Sequence, residues 1–146
     1  MRGRVIRLSQ VPMTASVSRL MSAKVVTVTI DSTVFEVARE ILNHDIGCVI
    51  VLQGNSIVGI VTKGDILREV IMKRLDPQKV PVEMVMTKPV TTIGADENLY
   101  KASEIMSRLN ITKLPVRGKQ GELAGIISST DIIRRAKTKK LSKDTI

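Results

Sequence analysis

The chain has 146 residues, the size of one compact domain or two very small ones, which excludes a large multi-domain enzyme within it. Apolar residues make up 43% and charged residues 25%, but aromatics only 1%, so the composition is globular and the core must be aliphatic. The formal charge of +9 is uneven: residues 1–20 carry four Arg and no acid, residues 134–146 carry six basic side chains against Asp144, and the 113 residues between are balanced.

In chain order, residues 1–16 read as a basic N-terminal extension with Arg2, Arg4 and Arg7. Val25–Val28 is β-branched and predicts a short strand. Asp31-Ser32-Thr33 then supplies an N-cap cluster for a helix that places Val34, Val37, Ala38, Ile41 and Leu42 on one face. Ile46–Leu52 and Ser56–Val61 are strand-like apolar runs divided by Gln53-Gly54-Asn55, and Gly64–Leu75 puts Ile66, Leu67, Val70 and Ile71 at helical spacing. The prolines of residues 76–81 mark a connection. Beyond it the order recurs as Val90–Ile93, Leu99–Leu109, Ile111–Val116, Leu123–Ile127 and Thr130–Ala136, followed by a basic tail over residues 137–146.

This recurrence is a tandem duplication. An offset of 65 sets Val17 on Val82, Met21 on Met86, Thr27 on Thr92, Ile46 on Ile111 and Phe35 on Tyr100, so both aromatics share one equivalent position; after the Gly118–Gly121 turn the offset becomes 66 and sets Gly59 on Gly125 and Asp65 on Asp131. The fold class is α+β: two pseudo-symmetric β-α-β-β-α repeats, residues 17–75 and 82–136, packed as one module. A unit of about 60 residues is marginal alone, so the copies are expected to pack through their sheets, with two equivalent clefts where they meet.

The sharpest motif is Gly59-Ile60-Val61-Thr62-Lys63-Gly64-Asp65, echoed as Gly125-Ile126-Ile127-Ser128-Ser129-Thr130-Asp131. A hydroxyl closes a strand and an acid follows three residues later at a helix start. Capping alone accounts for that spacing. The same geometry also suits a ligand, since free N–H groups at a helix start attract phosphate and a neighbouring carboxylate accepts from both hydroxyls of a ribose.

With Met21 … Val25-Val26-Thr27-Val28 … Asp31 before the first motif, and Met86-Thr87 … Ile111-Thr112-Lys113-Leu114-Pro115-Val116 before the second, the chain resembles a tandem pair of cystathionine-β-synthase (CBS) domains, a Bateman module, over roughly residues 17–136. The resemblance implies a regulatory module that binds AMP, ADP, ATP, S-adenosylmethionine or a related adenosyl compound between the copies, acts through an unknown regulated protein, and pairs as a homodimer. It implies that Asp65 and Asp131 hold ribose, that Thr62 and Ser128 lie near ribose and phosphate, and that Thr27 and Thr92 flank adenine. Lys113 falls where family members place a base that reaches phosphate. The first copy has Cys48 at that position and lacks the proline matched by Pro115, so the clefts should differ in phosphate handling.

The remaining residues suggest no chemistry. Cys48, the single cysteine, lies in an apolar run as a small core hydrophobe. His44, the single histidine, suits the end of a helix, and no metal site is expected. No catalytic dyad is legible, so no enzyme activity and no cofactor are expected. No apolar run reaches the ~18 residues of a membrane span, and Met1–Gln10 lacks a signal-like stretch, which predicts a cytoplasmic protein without a membrane partner. Basic tails attract polyanions by counterion release, so a nucleic-acid-binding role for them is the alternative function; serving solubility alone is the plainer one.

Overall fold

The computed structural model describes residues 10–137; most of the basic N-terminal extension and nearly all of the basic tail lie outside them. The first half contains β2 (Thr27–Thr29), α1 (Val34–His44), β3 (Cys48–Gln53), β4 (Ser56–Thr62) and α2 (Lys63–Ile66), and the second contains β5 (Ile93–Gly94), α3 (Leu99–Leu109), β6 (Lys113–Arg117), β7 (Leu123–Ser128) and α4 (Ser129–Arg135). Each half forms a three-stranded sheet, β2-β3-β4 or β5-β6-β7, in which the first pair is parallel and the second is an antiparallel hairpin. The α+β repeat architecture is therefore present. A further parallel pair joins β1 (Val11–Pro12) to β8 (Ala136–Lys137).

Local sequence explains most boundaries. Thr33 and Glu36 form a reciprocal capping box at the start of α1, and Asn98 caps α3 by accepting from the Lys101 N–H. Both helices stop at a left-handed residue, Asp45 and Asn110, types whose short polar side chains tolerate that conformation. Two expectations shift. The opening strands start later than Val25 and Val90, because the residues before them run along the cleft between the halves. The helix expected over Gly64–Leu75 runs as α2 into a π turn, Leu67–Ile71, and closes at Leu75 after left-handed Arg74.

Beside contact between the sheets, where Cys48 of β3 meets Lys113 of β6 and Ile126 of β7 around one cleft, the halves are joined by an exchange of segments. There are two aliphatic clusters, and each is completed by the segment that opens the other copy. Val17 and Leu20 are buried with Ile93, Leu99, Leu114 and Ile127 of the second half. Val82, Val85 and Met86 are buried with Val34, Val49, Val51 and Val61 of the first. Hydrogen bonding follows the same exchange: Ser22 pairs with Ile126 on β7 and Thr87 with Ile60 on β4. The first-turn N–H groups of α1 and α3, which no helix can satisfy internally, donate to Val80 O and Ala15 O at 2.9 and 3.1 Å. Each copy's opening segment thus supplies both apolar surface and backbone acceptors to the other half, which ties the marginal units together.

Candidate functional site

At the junction of α2 with the other half, the chain closes a cavity of about 380 Å³. Thr62 ends β4 and caps α2: its Oγ1 accepts from Asp65 N at 3.2 Å, while Asp65 Oδ2 accepts from Thr62 N at 2.9 Å. Asp65 Oδ1 accepts from Arg68 Nη2 at 2.9 Å. The capping reading and the site reading are therefore compatible. A carboxylate has about four lone-pair positions, and these two bonds leave acceptor capacity on a side chain that remains 14% exposed to the cavity.

Across from Asp65, the second half contributes Thr87, Val90 and Thr91 from its opening segment, Ile111 and Thr112 from the turn after α3, and Lys113 from the first position of β6. Ile60, Val90, Leu109, Ile111, Pro89 and Pro115 give the cavity an apolar wall suited to a flat ring. Arg68 and Lys113 place two cations on its rim. At the offset of 66 Arg68 falls on Arg134, a repetition that by itself names no role; its place at the cavity follows from the first turn of α2, which puts positions three apart side by side.

The pseudo-equivalent cleft is smaller, about 200 Å³, and is lined by Lys24, Val25, Val26, Asp45, Cys48 and, again, Lys113, among others. Ser128 is buried and accepts from Asp131 N at 3.1 Å, and neither residue lines this cavity. Thr27 lines a separate shallow cavity with Ser32 and Glu36, while Thr92 accepts from Arg117 Nη1 at 2.9 Å. Neither threonine lines either cleft; Val90 and Thr91, and Val25 and Val26, stand there instead. The late start of the opening strands moves the cleft contacts one or two residues earlier.

Cys48, the counterpart of Lys113, is buried on β3, and burial pushes its thiol pKa up while the Lys113 ammonium pulls it partly back. His44 Nε2 lies 3.1 Å from Glu40 Oε2 one turn earlier on α1. Among the described residues no group of three or more His, Cys, Asp or Glu side chains could hold a metal, and no helix is long and apolar enough to cross a membrane.

The sequence model of the CBS domain matches residues 17–72 and again 82–138. The chain belongs to the CBS-domain family. A 17.7 kDa protein of Acidianus ambivalens is 33% identical over 123 residues, covering 84% of this chain and 73% of that one. Inosine-5′-monophosphate dehydrogenase of Korarchaeum cryptofilum is 33% identical over 129 residues, 86% of this chain but 26% of the enzyme. Among solved structures, a protein from Pyrococcus horikoshii superposes with a TM-score of 0.77 at 28% identity, covering 88% of this chain and 99% of that one. A CBS domain pair in complex with 5′-methylthioadenosine and S-adenosyl-L-methionine gives 0.74 at 27% identity, covering 83% and 94%.

Proposed function

We propose that this CBS pair is a cytoplasmic regulatory module whose first cleft binds an adenosyl compound and which performs no chemistry of its own. The observation that carries the proposal is the convergence of Thr62, Asp65 and Arg68 of one copy with Lys113 of the other around a single cavity with an apolar wall. In this reading Asp65 accepts from the ribose hydroxyls, Thr62 and the α2 start face the ribose and phosphate, Lys113 and Arg68 neutralise an anionic group, and the wall from Ile60 to Ile111 takes the adenine. At about 380 Å³ the cavity falls within the range of small-molecule sites, whereas about 200 Å³ falls below it, so the first cleft is the principal one. Ser128 and Asp131, the counterparts of Thr62 and Asp65, line neither cleft and take no part in the first-cleft site. The complex of a related CBS pair with two adenosyl ligands supports the ligand class.

The test is calorimetry with AMP, 5′-methylthioadenosine and S-adenosylmethionine. Removing a charge-assisted acceptor costs about 1.5–3 kcal/mol, so Asp65→Ala should weaken the tightest ligand about ten- to a hundred-fold. Asp131→Ala should have a smaller effect. Unchanged affinity in Asp65→Ala, or the larger loss in Asp131→Ala, overturns the assignment of the first cleft.

The module acts on its regulated protein as a homodimer. Leu42 and Phe35 on α1, Leu67, Ile71 and Met72 at the end of α2, and Ile133 on α4 are large apolar side chains left exposed. Burying helix faces of this kind against a second copy removes apolar area from water without requiring directional bonds.

A further inference from the structure

The sequence Asp-x-x-Arg follows the capping hydroxyl in both copies, as Asp65 to Arg68 and as Asp131 to Arg134. Positions three apart share a helix face, so either pair can close. The first pair does, with Arg68 Nη2 donating to Asp65 Oδ1 at 2.9 Å. Arg134 is exposed and, among the described residues, makes no bond to Asp131. The copies differ one residue before each aspartate, where the first has Gly64 and the second Thr130. A Cβ added to Gly64 would come within 2.9 Å of Arg68 Nη1 and 3.6 Å of its Cζ and Nη2. The guanidinium therefore lies over the bare Cα of Gly64, in space that a branched residue such as Thr130 would claim for itself.

This contact sets the charge of the first cleft. Of the residues that line it, Asp65, Arg68 and Lys113 are the ionisable ones, two cations against one acid. The acid is already engaged, its Oδ2 by Thr62 N and its Oδ1 by Arg68. An anionic group entering the cleft meets a net positive lining, and a cationic group is repelled by it. The Arg68 side chain is 67% exposed, so its ion pair adds little to folding. What the pair does is fix a position. A guanidinium is a rigid fork of N–H donors suited to phosphate, and the bond to Asp65 engages Nη2 while holding the rest of the fork at the rim.

We propose that Gly64, Asp65 and Arg68 form a charge-selecting device in the first cleft. Because Gly64 carries no side chain, Asp65 holds the Arg68 guanidinium at the cavity, where it favours adenosyl ligands that bear a phosphate and disfavours those that bear a sulfonium. Thr130 disarms the same device in the second copy. The proposal rests on the adenosyl reading of the cavity and narrows it: adenine and ribose are common to every ligand of that class, and the charge of the lining separates AMP from S-adenosylmethionine. Arg68 is the group that meets the ligand, and Gly64 is a positioning residue.

The experiment is calorimetry of the full chain and three variants with AMP, 5′-methylthioadenosine and S-adenosylmethionine, which bear a phosphate, no charge and a sulfonium respectively. The parent should bind AMP most tightly and S-adenosylmethionine least. Arg68→Gln should cut the preference for AMP over 5′-methylthioadenosine about tenfold, the loss of one charge-assisted bond. It should also narrow the gap between 5′-methylthioadenosine and S-adenosylmethionine. Gly64→Thr removes no donor but displaces the guanidinium, so it should shift both ratios the same way. Gly64→Ala should do so to a smaller extent, and its urea midpoint should not fall, because the atoms nearest the new Cβ all belong to the end of the Arg68 side chain. An equal loss for AMP and 5′-methylthioadenosine in Arg68→Gln makes that residue a structural support and overturns the device. Unchanged ratios in both Gly64 variants, beside a change in Arg68→Gln, overturn the part given to Gly64. A parent that prefers S-adenosylmethionine to AMP overturns the selectivity, and one that binds none of the three overturns the adenosyl reading itself.

Discussion

Lys113 and Cys48 hold equivalent places in the two copies, each at the first position of the strand that leads its hairpin, and the ammonium of one lies near enough to the thiol of the other to lower its pKa against the effect of burial. Lys113 lines both clefts, so one cation faces two cavities that are unequal in size. Replacing it by Met should raise the Cys48 thiol pKa further and slow its alkylation by iodoacetamide at pH 9, read by intact-mass spectrometry. The same variant should lose affinity for AMP while keeping that for adenosine. An equal loss for both ligands would remove Lys113 from the phosphate role.

The raised thiol pKa links stability to pH with a definite sign. Below the unfolded thiol pKa of about 8.5 both states hold the proton and nothing is lost. Above it the unfolded chain releases its proton first, so the folded state loses stability as pH rises toward the folded pKa, at up to about 1.4 kcal/mol per pH unit. Urea unfolding between pH 7 and pH 10 should show this additional decline in the parent chain and not in Cys48→Ala. Parallel curves for the two proteins would disprove the linkage.

Gly59 is where one copy's strand lets the other copy's opening segment approach. A Cβ added there would run into the side chain of Met86, which is itself buried in the first cluster. Gly59→Ala should cost about 1–3 kcal/mol by overpacking, measured as a lower urea midpoint. Gly125→Ala should cost at least as much, since its Cβ would meet the Ser22 carbonyl oxygen at 2.7 Å as well as Met21. Gly47→Ala meets open space and should stay within about 0.5 kcal/mol of the parent.

The two reciprocal capping boxes separate fold from site. Thr33→Ala removes the acceptor for Glu36 N and should cost about 1 kcal/mol of stability with no change in ligand affinity. Thr62→Ala removes the acceptor for Asp65 N and also a cavity hydroxyl, so it should lower both stability and affinity. If both variants changed only stability, Thr62 would be a cap and nothing more.

The exposed aliphatic residues beyond α2 test the dimer. Leu67→Asp combined with Ile71→Asp should yield a monomer by light scattering, since the two residues are 56% and 52% exposed and neither belongs to the buried core. The parent should keep its dimer mass as salt rises, because apolar burial is not screened. A parent that is monomeric at every salt concentration would refute the pairing.

Read from the chain alone, the duplication, the aliphatic core and the hydroxyl–acid helix starts were legible because each rests on local periodicity or spacing: α3 spans the predicted Leu99–Leu109, and Thr62 and Asp65 cap α2 as Ser/Thr-x-x-Asp requires. The family followed from those motifs in order. The partnership between distant segments was not legible. The tertiary structure decided that Val17 and Val82 cross to the opposite halves, that Lys113 meets Asp65 across the cleft and Cys48 beside it, that Val90 and Thr91 rather than Thr92 line the cavity, and that Val11 lies against Ala136. Helical and strand patterns are set by neighbours a few residues apart, whereas the exchange depends on which buried surface and unsatisfied backbone group each opening segment reaches once both copies have formed. Two copies of similar sequence offer the same apolar faces, and periodicity cannot state whether a segment closes its own core or its twin's.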